Sequence, residues 1–362
     1  MQLKNLSSLS NVVVQFVVIS LVLHQFAFGK AEELKPRLSL RQVAVKNIAY
    51  SSTGKYIAIP NFITTGSVGV FTVAPNGTIA NVPSRFTEKD FFRSRGVFYY
   101  AGKKDTLTDM VFIPLQEFSK GYTVSFANKA DTLIICGSDK ISIYTMQNVS
   151  LLKTIDLKGV SRAIFSNDNS IIAAVAEGKL YLIKSPDLSS IMTIEPESGC
   201  RFADISFSSD SRFVAVYEHK NQLLDYSARI RIFTTDNGSE DRRLPWLNEK
   251  LSTEPGNHFP LISYLPSDSA LAVTLEKTMF AKVMVVKSID GTVIKEFKGS
   301  CHAVSVNSGL FAAGNTIYNL INWEKAGDIT GAVISMSFAS ESPDLIVTTL
   351  DKVIRYKVTL GK

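Results

Sequence analysis

The sequence predicts an all-β fold, a β-propeller of seven blades, on three observations. One pattern recurs along the chain: "YSSTGKYIAI" from Tyr50, "FANKADTLIICG" from Phe126, "FSNDNSIIAAV" from Phe165, "FSSDSRFVAVY" from Phe207, "YLPSDSALAVTL" from Tyr264 and "FASESPDLIVTTL" from Phe338, with a shorter match at Val306. The units recur at roughly forty residues, a period that belongs to propeller blades or to helical arrays. Within each unit, short runs of β-branched and aromatic residues are separated by turn residues, as in "TLIICGSDKISIYTMQN", which sets helical arrays aside.

Each strand of a unit has its own logic. The first, such as "FADISF" from Phe202, is largely apolar and belongs at the crowded centre of the ring. A Ser/Asn/Asp/Gly turn follows, where short polar side chains satisfy free backbone groups in a tight reversal. The second strand, "FVAVY" from Phe213, is apolar again and fits between neighbouring blades. The third alternates, as in "KLYLIK" from Lys179, and suits a half-exposed position. A lone blade leaves apolar faces uncovered, so blades stack until the ring closes.

The chain opens with a leader. "MQLKNLSSLS" carries Lys4 and no acid, and the apolar run from Val12 to Leu23 is broken only by Gln15 and Ser20. Ala27 and Gly29 place small residues three and one positions before Lys30, the pattern of a signal peptide over residues 1–29. Gln15, His24 and Gln25 leave the stretch short of the about twenty predominantly apolar residues of a membrane helix. The expected destination is secretion, or the lumen of the secretory pathway or the periplasm. The alternative is an uncleaved signal anchor and a membrane-tethered luminal scaffold.

One propeller domain is expected over residues 35–358. The last unit ends at "DKVIRYKVTLGK" after a third strand, and "KPRLSLRQVAV" near the start has no earlier partner. The segment Leu38 to Val45 is therefore expected to complete the last blade and remove an open edge. The interval between Tyr50 and Phe126 is nearly twice the period. It reads either as an insertion within the first blade, with "DMVFIPLQEF" as the outer strand, or as an eighth, degenerate blade.

From about Lys35 to Val358 these units resemble the WD40-like propeller superfamily. The Gly-His pair before the first strand and the Trp-Asp pair ending the third are absent; "ISIYTM", "IRIFTT" and "VIRYKV" stand in the third-strand place. The resemblance implies the architecture and no particular subfamily or function.

Composition narrows the function. The net charge is +6, yet no run of four basic residues occurs, which argues against nucleic acid as a partner. Cys136, Cys200 and Cys301 make an odd count, and a Cys200–Cys301 pairing stays open. His219, His258 and His302 lack metal-ligand spacing, no nucleophile elbow or phosphate loop is present, and the acidic turns lack a calcium loop's closing Glu. No cofactor, metal or catalytic set is expected from these motifs.

Two stretches depart from the repeat. "SRFTEKDFFRSRGVFYYAGKKD" interleaves aromatics with arginines, making Arg93, Arg95 and Tyr99 candidate binding residues. The unit from Phe207 is long and contributes His219, Tyr226, Arg242, Arg243, Trp246, His258 and Phe259. Either these residues meet a partner or they pack on their own blade. Asn76, Asn148 and Asn237 head glycosylation sequons in turns. The expected function is an exported, non-enzymatic scaffold binding a protein or glycan. The alternative is a hydrolase- or lyase-type enzyme with its site at the central channel, which requires His258, His302, Asp204 or Arg162 to converge there.

Overall fold

The structure, a computed structural model, describes residues 19–26, 29–36, 47–60, 67–73, 112–119, 121–185, 191–220, 226–247, 250–251, 260–275, 281–305, 307–339, 343–349 and 353–358. Every regular element among them is a strand, and among these described residues no helix is long and apolar enough to cross a membrane.

Six sheets are each built from one contiguous stretch of chain. The first holds Ala49–Tyr50, Tyr56–Pro60, Ser67–Val73 and Phe112–Ser119. The second runs through Thr123–Phe126, Thr132–Cys136, Lys140–Thr145 and Ser150–Asp156, and the third through Val160–Phe165, Ile171–Ala176, Lys179–Lys184 and Ile191–Ile194. The fourth holds Cys200–Phe207, Phe213–Lys220, Tyr226–Thr234 and Glu240–Arg243, with Lys250–Leu251 also pairing its third strand. The fifth takes Ile262–Tyr264, Ala270–Leu275, Lys282–Lys287 and Val293–Lys298, and the sixth His302–Ser305, Leu310–Ala313, Thr316–Asn319 and Lys325–Asp328. All pairings are antiparallel, and each aromatic marker of the sequence ends an innermost strand.

A further sheet is composite. Val333–Phe338, Asp344–Thr349 and Val353–Val358 come from the end of the chain, and Gly29–Pro36 and Ile19–Phe26 from its start. Its innermost strand touches that of the sixth sheet on one side and that of the first on the other, so the innermost strands close a ring. The expected seven is thus corrected to six contiguous blades and one sheet that the two ends build together.

Two further expectations are settled by pairing. The strand that meets Val353–Val358 is Gly29–Pro36, with Gly29 opposite Val358 and Leu34 opposite Val353. Leu38 to Val45, expected in that place, lies outside the described residues. Phe112–Ser119 pairs with Ser67–Val73 as the outer strand of the first sheet. The long interval is therefore an insertion within that sheet.

The core lies in the seams between sheets. Ile134 and Ile141 meet Ile172 and Ala174 between the second and third sheets. Val216 and Phe233 face Val175 and Leu180 at the next seam, and Tyr217 and Ile230 face Leu271 and Val273 at the one after. The second strands are almost continuously buried because both their faces meet a neighbour, as in Ile172 to Ala176. Each large side chain so buried contributes about 1.5–3 kcal/mol. The backbones of Gly299 and Gly314 pass so closely that a Cβ at Gly299 would lie 2.4 Å from the Gly314 Cα, so this crossing admits only glycine. All three cysteines are buried, and none is joined in a disulfide.

Candidate functional site

Two places gather polar chemistry, and the first is the central channel. Its innermost strands carry polar residues where the sequence reading stressed only apolar ones, one or three positions before each aromatic marker. Strand alternation puts both positions on the same face, toward the following sheet. Asn47 Oδ1 accepts the Val124 amide at 3.0 Å. Thr123 Oγ1 donates to the Ser161 carbonyl at 3.0 Å and Ser125 Oγ to the Ala163 carbonyl at 2.8 Å. Ser206 Oγ accepts the Tyr264 amide at 2.9 Å.

Arg162 and Asp204 belong to this seam. Arg162 Nε lies 3.2 Å from Asp204 Oδ1, and Asp204 Oδ2 accepts the amides of Leu261 at 2.6 Å and Ile262 at 3.1 Å. Burial pushes the Asp204 carboxyl up, and the guanidinium and these amides pull it back. His302 sits one seam further on, fully buried, with Nδ1 2.6 Å from Thr274 Oγ1 and Nε2 3.0 Å from Ser263 Oγ. Burial holds its pKa down to about 3, so the imidazole is neutral at physiological pH. Arg162, Asp204 and His302 are brought near the channel, but each is engaged in joining one sheet to the next. His258 lies outside the described residues.

At one mouth the turns form a girdle. Thr53 Oγ1 donates to Asp131 at 2.7 Å, Asn128 Nδ2 to Asn167, Asn167 Nδ2 to the Ser208 carbonyl at 2.8 Å, and the Ser209 amide to Asp268 at 2.8 Å. Below it lies a cavity of about 250 Å³, lined by the marker aromatics, serine hydroxyls and Arg162.

The second place is the fourth sheet, where a buried ionic network runs across its strands. Glu218, wholly buried, stands directly opposite Arg229 in the pairing. Its Oε2 accepts from Arg229 Nε at 2.5 Å, and its Oε1 from Arg231 Nη1 and from the Glu197 amide, each at 3.0 Å. Arg229 also binds the Glu197 carboxylate. Arg231 reaches Glu240 at 2.5 Å, and Arg243 joins Glu240 at 2.6 Å to Glu197 at 3.1 Å. Arg243 holds the Glu240 carboxyl down to about 2. Three glutamates thus match three arginines.

Trp246 stands on this network, half-buried. The Arg229 Cζ lies 4.3 Å and the Lys220 Nζ 4.5 Å from its ring centroid, within cation–π range. Glu197, Cys200 and Glu218 bring their ligand atoms within 4.8 Å of one another. Guanidinium groups already occupy both carboxylates, and burial pushes the Cys200 thiol up, so this set does not suit a cation.

The structure therefore joins Arg243 and Trp246 in one cluster. Arg242 leaves it: it pairs with Asp241 at 2.5 Å and lies over the Phe213 ring. His219 is buried, a correction to its expected place on a partner surface, because the second strand lies between two sheets. Tyr226 pairs through its backbone with Leu251. Arg93, Arg95, Tyr99, His258, Phe259 and Asn76 lie outside the described residues. Asn148 and Asn237 are exposed in turns, and Asn237 Oδ1 accepts the Ser239 amide at 2.9 Å. Sequence reasoning missed Glu218, Arg229 and Arg231. Their signal was available: a charged "EHK" ending an apolar second strand, and arginines alternating in "SARIRIF".

No protein-family model and no curated protein matches this sequence. Among solved structures, a chain of Kuenenia stuttgartiensis hydrazine synthase is similar, with a TM-score of 0.60, 13% identity, and coverage of 90% of this chain and 98% of that one. At that identity the likeness shows the propeller fold alone.

Proposed function

We propose that this chain is an exported, non-enzymatic β-propeller that binds a protein or glycan partner, with the Trp246 surface of the fourth sheet as part of the contact. The observation carrying this reading is the stack of Trp246 with Arg229 and Lys220. Trp and Arg are the residue types that dominate binding energetics. Here Arg229 is fixed by Glu218 and Glu197, so little side-chain freedom remains to be lost on association.

The roles of Arg162, Asp204 and His302 in joining sheets favour a scaffold over an enzyme built at the channel. In this reading the composite sheet, with the six contiguous blades, closes a WD40-like ring. Removal of residues 1–29 leaves that sheet with four strands, like its neighbours, and Lys30 to Pro36 as its outer strand. Asn148 and Asn237 then serve as glycosylation acceptors where the host glycosylates exported proteins.

The test is affinity capture from the secretory or periplasmic fraction with the wild-type chain and Trp246→Ala side by side. The proposal expects material retained by the first and depleted on the second. Identical capture by both removes Trp246 from the contact.

A further inference from the structure

We propose that the central cavity is a binding site for a single neutral saccharide unit, such as the exposed end of a glycan chain. This rests on the reading above that the chain binds a partner rather than transforming one. The cavity, about 250 Å³, falls just below the usual 300–1,000 Å³ of small-molecule sites. That size suits one ring rather than an extended chain.

Charge decides against an anion. The charged side chains among the lining residues are Arg162 and Asp268, one of each sign. Asp204 already faces Arg162 at 3.2 Å, and Asp268 accepts from the Ser209 amide at 2.8 Å. No surplus positive charge remains to hold a carboxylate or phosphate.

The hydroxyl inventory points to a ligand that both donates and accepts. Ser52 lines the cavity and is only 2% exposed, yet its Oγ has no hydrogen-bond partner. A buried hydroxyl left in that state costs stability. Ser206, on the fourth sheet, also lines the cavity and uses its oxygen to accept the Tyr264 amide, leaving its proton to be directed elsewhere. Phe126 and Phe165 supply apolar surface beside these groups. Hydroxyls next to aromatic carbon match the mixed faces of a sugar ring, and a sugar hydroxyl supplies the partner that Ser52 lacks.

Saturation-transfer NMR on the full chain tests this. The probes are glucose, galactose, mannose and N-acetylglucosamine, with N-acetylneuraminic acid and inorganic phosphate as charged comparators. At least one neutral sugar should receive saturation. Ser52→Ala should weaken it several-fold while the melting temperature holds or rises, because no hydrogen bond within the protein is lost. Transfer to no neutral sugar, transfer to the charged probes alone, or unchanged binding by Ser52→Ala overturns the proposal. If sugar binding is absent while partner capture persists, the saccharide site alone fails. If both are absent, the binding reading beneath it fails too.

Discussion

Arg162 and Asp204 face each other at 3.2 Å across the seam between the third and fourth sheets, and Asp204 carries the contact on to the fifth through the Leu261 and Ile262 amides. One carboxylate thus ties three consecutive sheets at the centre of the ring. Replacing Asp204 by Ala takes the facing carboxylate from the little-exposed Arg162 guanidinium and the acceptor from the Leu261 and Ile262 amides. Breaking a buried pair in this way costs about 3–5 kcal/mol. Denaturant unfolding should show that loss as a lowered midpoint with an unchanged slope; a loss within about 0.5 kcal/mol, typical of neutral surface changes, would mean that the staple carries no weight.

His302 makes stability depend on pH. Its folded pKa is about 3, below the ordinary value of 6.5, so the unfolded chain binds the extra proton between those limits. Stability is then fully present above about pH 6.5 and falls as pH drops, by about 1.4 kcal/mol per unit. Asp168 and Glu240 are held down to about 2 by their partners, and their contributions are lost only below their ordinary values of 3.8 and 4.5. The interval from about pH 6.5 to pH 5 lies above those two ordinary values, and comparison with a variant at His302 separates this histidine from the other groups of the chain. Unfolding of wild type and His302→Gln across it should give a slope in the first that is reduced in the second. Equal slopes would assign the effect elsewhere.

The start of the chain offers a third comparison. Gly29–Pro36 pairs with Val353–Val358, and Ile19–Phe26 adds a strand outside it. A chain beginning at Lys30 should melt like the full one, and N-terminal sequencing of the native protein should read Lys30 first. A chain beginning at Leu38 should lose stability and associate through the exposed edge of Val353–Val358. Equal melting of both truncations would contradict closure by this strand.

Much of this fold was legible because burial imposes a period. The runs "IIAAVA" and "FVAVY" are apolar on both faces since each lies between two sheets, and their spacing gave the repeat. The closing strand was misplaced by nine residues, from Gly29–Pro36 to Leu38–Val45, because Leu38 to Val45 alternates more clearly than "GKAEELKP", whose pairing is set by backbone hydrogen bonds. The candidate site was half legible. Trp246 and Arg243 stood out by residue type, whereas Glu218 and Arg229 meet only through cross-strand register, which no local pattern encodes.

The Trp246 contact carries the functional account, and Trp246→Ala tests it most directly through paired measurements of melting and of affinity for captured material. Loss of the stack with Arg229 and Lys220 should cost about 0.5–1 kcal/mol of stability. It should weaken binding by about 2 kcal/mol or more, as truncation of a binding hot spot does. Lowered melting with unchanged affinity would show that Trp246 serves only its own sheet, and would contradict the account.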